Sequence, residues 1–156
     1  MALRNIVFSD NPLIRKKSRV VTDFDENLWE LLDDMKETMR KNEGVGIAAP
    51  QVGVLKQIVV VETNGMFLEL INPEIISSSG RQESFEGCLS VQDFNGLVIR
   101  PAKVTIQAYD RFATPFKMTV QDFMATVFCH EIDHLSGILF TDKARELFKK
   151  KEEKKK

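Results

Sequence analysis

Residues 122–135, DFMATVFCHEIDHL, constrain the folding of this chain more than any other segment. Phe123, Met124, Ala125, Val127, Phe128, Ile132 and Leu135 leave little polar surface around a helix, so a helix running from about Asp122 to Leu135 must be buried centrally. Gly137 is well placed to end it. The same segment carries HEIDH, residues 130–134, and with it the only two histidines of the chain. Residues four apart on a helix lie one above the other, so His130 and His134 can turn a ring nitrogen each toward one metal ion. A rotation of roughly 100° per residue puts Glu131 beside that face, within reach of a water at the metal without being a ligand. Asp133 flanks the other side, where it can orient a ligand. A surface helix that happens to hold two histidines is the plainer alternative. The apolar surroundings argue against it, because buried carboxylates need partners and a metal site supplies them.

Elements that can cover such a helix follow from the rest of the pattern. Leu28, Leu31, Leu32, Met35 and Met39 fall at helical spacing and predict a helix over 26–42, with Asp25 to cap its start and Gly44 to end it. Residues 1–24 read as an irregular arm. GVGIAAPQVG, residues 44–53, holds three glycines and a proline, which predicts a special loop rather than a regular element. IVVV (58–61) and FLELI (67–71) predict strands paired through a turn at Asn64-Gly65. Val104, Ile106 and Ala108 alternate with polar residues in a further strand, and Phe116, Met118 and Val120 suggest another. Helix, strands and one buried helix make an α+β domain, with antiparallel strands packed around the helix that carries HEIDH.

Two histidines do not complete a catalytic metal site, which usually takes three protein ligands and leaves a position for water. A third histidine does not exist here, so the ligand must be Cys, Asp or Glu. Cys88 in EGCLS (86–90) is the best candidate; a packed apolar cysteine is the alternative reading. Cys129 is a rival, but it lies away from the His134 side of the helix and reads as a core residue. In GVGIAAPQ (44–51), small residues allow close approach to a metal centre or a substrate backbone, and Gln51 offers an amide that can hold a developing oxyanion.

A chain of 156 residues fits one domain, expected over 1–148, followed by a Lys-rich tail over 149–156. The tail reads as a frayed, solvated helix end or as a contact to RNA phosphates. A net charge of −1 gives no global attraction to nucleic acid, so specific DNA binding is not expected. With two cysteines a disulfide framework is not expected. No stretch approaches the ~20 apolar residues of a membrane span, and MALRNIVFSDNP lacks a signal-peptide core, so a cytoplasmic protein is expected.

The three motifs GVGIAAPQ (44–51), EGCLS (86–90) and HEIDH (130–134), in that order, resemble those of the bacterial-type peptide deformylases. QVG after the first motif, INPEI (71–75), RPAKV (100–104) and HLSGILF (134–140) extend the resemblance to about residue 142. It implies a metal-dependent hydrolase that removes the N-formyl group from the formylmethionine of newly made proteins and releases formate. It implies Cys88, His130 and His134 as ligands of one divalent ion, Fe2+ in the usual case, with Zn2+, Ni2+ or Co2+ able to substitute. Glu131 would be the general acid/base, with Gln51 and the backbone N–H of Leu89 as oxyanion donors. Backbone groups of Val45 and Gly46 would pair with the peptide, and Val127, one turn before the histidines, is a candidate wall of the methionine pocket. N-formylmethionyl nascent peptides are the implied partners, and the ribosome is a candidate partner of the Lys-rich tail.

Two positions depart from the family pattern. Cys129 stands where Gln usually precedes the first histidine, and Gln92 stands where Pro usually follows the EGCLS motif. Neither removes a ligand or Glu131. Charge logic makes Arg100 a candidate partner for Asp133 or Glu86. A metallopeptidase is the rival enzyme reading, with Glu146 as the downstream glutamate to complete its site. A structural metal site in a binding module would need four protein ligands and leaves Glu131 idle.

Overall fold

A computed structural model describes residues 2–150. Helix α1 (Glu26–Lys41) starts where the Asp25 side chain accepts from the backbone N–H of Leu28. Its end differs from expectation. Asn42 is the C-cap and Glu43, at φ +57°, takes the left-handed conformation expected of Gly44, whose N–H closes the end by donating to the Met39 carbonyl at 2.9 Å. Gly44 also sits where an added Cβ would lie 3.1 Å from Leu89 Cδ1. Residues 44–53 also prove more regular than a loop. Gly46–Ala48 form strand β1, and Ala49–Val52 form a 3-10 turn closed by Gly53 at φ +84°. The arm before α1 is irregular apart from a 3-10 turn at Pro12–Arg15 and a bridge from Arg19 to Lys56.

Strand β2 (Ile58–Thr63) pairs antiparallel with β3 (Met66–Ser79). Asn64 and Gly65 join them with φ of +53° and +75°, the two positive values that a tight hairpin turn requires. β3 runs well past residue 71 and pairs with β6 (Lys103–Tyr109), which pairs with β7 (Pro115–Gln121). The resulting sheet has the order β1-β2-β3-β6-β7. Both faces are covered, which explains why Ile58–Val61 is an unbroken apolar run. Ile58 and Val60 pack with α1, whereas Val59 and Val61 pack toward the second helix.

That helix, α2 (Asp122–His134), lies over the sheet with Met124, Ala125, Val127, Phe128 and Cys129 in the core. Gly137, at φ +73°, closes its C-terminus by donating to the His134 carbonyl, and Ile138 N–H donates to the Asp133 carbonyl. A second sheet, β4 (Gln82–Cys88), β5 (Val91–Arg100) and β8 (Ala144–Lys149), packs against the other side of α2. Its small core gathers Ile14, Val91, Val98, Leu139 and Phe140, the last on the short α3 (Phe140–Lys143). None of β4, β5 or β8 is among the strands anticipated from periodicity. β8 carries regular structure through Lys149, which pairs with Phe94, and Lys150 N–H donates to the Asp93 carbonyl at 2.8 Å. The remainder of the Lys-rich tail lies outside the described residues. Among the described residues no helix is long and apolar enough to cross a membrane.

Candidate metal centre

Three elements converge on one point. α2 supplies His130, Glu131 and His134, all buried. The tight β4–β5 connection supplies Cys88, where the ladder is irregular between Glu86 and Cys88. The 3-10 turn after β1 supplies Gln51, which is 1% exposed. Ligand atoms of Cys88, His130 and His134 all lie within 4.8 Å of one another, and Cys88 Sγ is 3.4 Å from His134 Nε2. Bonds of 2.3 Å to sulfur and about 2.05 Å to nitrogen at a tetrahedral angle put the two donors about 3.6 Å apart, so the observed spacing fits one ion. Cys129 is not part of this group. It is 5% exposed in the core cluster, and burial pushes its thiol above the usual range. Glu146 lies exposed on β8, paired with Leu97.

An unpaired polar atom points the same way. Among the described residues, Oε1 of Glu131 is buried without a hydrogen-bond partner and faces this space; Nδ1 of His134, also unpartnered, lies on the far side of its ring from Nε2 and says nothing of an ion there. An atom placed like Glu131 Oε1 is expensive unless something at the site engages it. A thiol and two imidazoles form a donor set of intermediate softness, suited to zinc or ferrous iron. The residues present therefore fit a divalent transition metal. Glu131 Oε1 stands 4.0 Å from His134 Nε2, so its carboxylate faces the same small space. Burial raises the Glu131 carboxyl to about 7.

Behind the donors lies a charge network. Oε1 of Glu86 is 2.8 Å from His130 Nδ1. Arg100 donates to both oxygens of Glu86, at 2.8 and 2.7 Å, and to Asp133 Oδ2 at 2.8 Å. Lys143 reaches Asp133 from outside at 3.0 Å. Burial alone would raise the Glu86 carboxyl, but the hydrogen bonds from Arg100 and His130 outweigh it and hold Glu86 at about 2. The carboxylate accordingly accepts from Nδ1–H of His130 and leaves Nε2 free for an ion. Arg100 thus pairs with both carboxylates that charge logic offered it. The contact between Glu86 and His130 was not anticipated, although EGC contained a signal for it. On a strand, Glu86 and Cys88 are two apart and share a face.

An open cleft of about 350 Å3 leads to this point. Val45, Gly46, Leu89 and Val127, all singled out in the sequence, line it together with Gln51, Cys88, His130 and Glu131. Gln51 Oε1 accepts from Ala48 N–H at 2.9 Å, and its amide nitrogen donates to Ser90 Oγ at 3.2 Å and Cys88 Sγ at 3.5 Å. That fixes which end of the amide faces the cysteine. Gly46 has no spare room. A Cβ there would come within 2.7 Å of Glu131 Oε2. Thr126, Phe123, Phe85 and Lys150 also line the cleft and were not singled out from the sequence. Helical spacing from Val127 and His130 would have found the first two.

Comparisons with known proteins point to one family. The family model described as polypeptide deformylase matches residues 3–150. The peptide deformylase of Caldicellulosiruptor bescii is 51% identical over 143 residues, covering 92% of this chain and 86% of that protein. The crystal structure of a peptide deformylase from Legionella pneumophila superposes with a TM-score of 0.89 at 43% identity, over 91% of this chain and 86% of that one. The Met-Ala-Ser-bound crystal structure of the class I type b peptide deformylase from Acinetobacter baumannii superposes with a TM-score of 0.86 at 30% identity, over 90% and 98%.

Proposed function

The chain belongs to the polypeptide deformylase family, and from that premise we propose which of its residues carry the reaction and how. The reaction is hydrolysis of the N-formyl group of newly made proteins, with a metal ion as cofactor. The observation that carries the residue assignment is the convergence of Cys88, His130 and His134 within 4.8 Å at the bottom of a cleft that Glu131 and Gln51 also line.

Cys88 Sγ, His130 Nε2 and His134 Nε2 would hold the ion. A bound divalent metal activates water for attack on a carbonyl near neutral pH. We assign Fe2+ as the native ion, because a single thiolate with two imidazoles suits it and the family usually carries it; zinc, nickel and cobalt fit the same donors. Glu131 takes the proton from the attacking water and delivers it to the amine as the formyl C–N bond breaks. Its unpaired oxygen, 4.0 Å from His134 Nε2, supports that role. Formate and a free N-terminus are the products.

Gln51 presents Nε2 toward Cys88 because Ala48 N–H already holds its oxygen. An amide so fixed can donate to the oxygen of the tetrahedral carbon, with the backbone N–H of Leu89 as the second donor. Each such donor is worth about 3 kcal/mol. The register of β1 supports peptide pairing. Val45 carbonyl accepts from Glu62 N–H at 2.9 Å, and Gly46 pairs opposite Val61. In an antiparallel ladder that leaves Gly46 N–H and C=O pointing away from β2, toward the unpaired edge of the sheet. An extended peptide can add there, with its methionine side chain against Val127. Val45 contributes its N–H only, since its carbonyl is taken.

A cytoplasmic location follows from a nascent-chain substrate. Ribosome contact through the Lys-rich tail is part of this proposal, tested by deleting residues 149–156 and measuring salt-dependent ribosome binding. Unchanged binding would end that idea.

The decisive experiment measures formate release from formyl-Met-Ala-Ser by anaerobically purified, metal-loaded protein beside Glu131→Ala. Wild type should turn over and the variant should lose at least ~100-fold. Equal rates would remove Glu131 from the chemistry. Cobalt-loaded protein should show a thiolate-to-cobalt absorption band that Cys88→Ser abolishes; its persistence would remove Cys88 from the ligand set.

A further inference from the structure

Beyond the metal end, the cleft has a mouth built of quite different residues. Phe85 on β4 and Phe123 at the start of α2 line it while remaining 65% and 53% exposed. Large apolar side chains exposed at the rim of a cleft mark a surface that something else covers. Glu43, from the turn between α1 and β1, stands at the rim as well. So does Lys150, the residue that follows β8.

Lys150 is not a loose terminus at this point. Its backbone N–H is held by the Asp93 carbonyl, and the preceding residue is in register with Phe94. Phe148 packs on Phe85 with ring centroids 5.7 Å apart, which brings the end of β8 against the rim. Residues Arg145–Lys149 are exposed, yet Lys150 is half-buried. A lysine in that setting lays its stem along apolar surface and keeps its ammonium at the water boundary, and Lys150 is one of the residues that line the cleft.

We propose that Lys150 is a specificity-determining residue, whose ammonium favours substrates with an acidic side chain in the one or two residues after formylmethionine. This rests on the deformylase reading above and adds to it which nascent chains are processed fastest. The formyl group and methionine occupy the inner end, beside Glu131 and Val127, so the following residues must leave through the mouth. A carboxylate there meets the Lys150 ammonium; a lysine side chain there meets a like charge. Glu43 carries the opposite charge from the α1–β1 side of the mouth, so the preference is local to the β8 side rather than a general attraction for anions.

The test uses full-length, metal-loaded protein and three peptides, formyl-Met-Asp-Ser, formyl-Met-Lys-Ser and formyl-Met-Ala-Ser. For wild type, kcat/KM should favour the Asp over the Lys peptide by about two- to fivefold, the range of one partly exposed ion pair. The preference should sit in KM and weaken with added salt. Lys150→Met should bring the ratio near one, and Lys150→Glu should invert it. A wild-type ratio of one, or a ratio unchanged in Lys150→Glu with its melting temperature intact, would overturn the proposal. Failure of wild type to release formate even from formyl-Met-Ala-Ser would instead overturn the underlying activity, and the Lys150 assignment with it.

Discussion

Nδ1 of His130 lies 2.8 Å from Oε1 of Glu86, and this contact ties the histidine helix to the second sheet. It fixes the ring orientation that aims Nε2 at the candidate metal. Glu86→Ala should therefore weaken metal affinity by about 10–100-fold, as loss of such outer partners usually does. Glu86→Gln keeps an acceptor for the ring N–H and should fall between. Chelator competition at fixed pH measures this, and equal affinities in all three proteins would contradict it.

Arg100 is the counter-charge of that carboxylate. Among the described residues, Arg100 is the one Lys or Arg paired with Glu86, whereas Asp133 also has Lys143. Arg100→Leu should thus leave Glu86 buried and uncompensated, at a cost of about 3–5 kcal/mol. Urea unfolding should show the loss, together with poorer metal retention. A midpoint within error of wild type would show that the network contributes little to folding.

Gly46 faces Glu131 so closely that a methyl group would overlap its carboxylate at 2.7–3.0 Å. Gly46→Ala should push Glu131 aside while sparing the ligands. The expected result is a fall in kcat of about 100-fold, the usual consequence of a 1 Å misplacement at a reacting group, with metal content unchanged. Near-normal turnover would mean that Glu131 has slack that this packing does not suggest.

What could be read from the sequence depended on where the apolar residues face. α1, α2 and the β2–β3 hairpin showed themselves through periodicity, because their buried positions are apolar. The β4–β5–β8 sheet hid because its pattern is mixed, with Val91 and Val98 buried beside charged residues. Glu86 and Arg100 are buried in it, as is Ser90 in the β4–β5 turn, while Phe85 and Leu147 are exposed. An inner face that mixes buried charges with apolar residues around the candidate metal centre defeats a search for apolar alternation. β1 was missed for a related reason. Its glycine serves close approach to Glu131 rather than strand formation, so it read as a loop. The candidate ligands were legible, since histidines four apart on an apolar helix and a cysteine in the short EGCLS motif need no long-range packing to be noticed. The partner of His130 required knowing that β4 turns Glu86 inward.

Two glycines with nearly the same φ test how far space, rather than conformation, decides the cost of a side chain. Gly65 has φ +75° and an added Cβ would meet nothing within 4 Å. Gly137 has φ +73°, but a Cβ there would fall 2.1 Å from the Arg15 carbonyl oxygen. Gly65→Ala should cost only the left-handed strain, about 1 kcal/mol. Gly137→Ala must in addition displace the backbone of the N-terminal arm, against which the end of α2 closes through the bond from Ser18 N–H to the Leu135 carbonyl. The expected loss is about 3 kcal/mol or more, read as a difference in unfolding midpoints, and metal affinity should fall with it because His134 lies three residues away. Equal destabilisation by the two substitutions would show that the arm yields freely and that the left-handed conformation alone sets the cost.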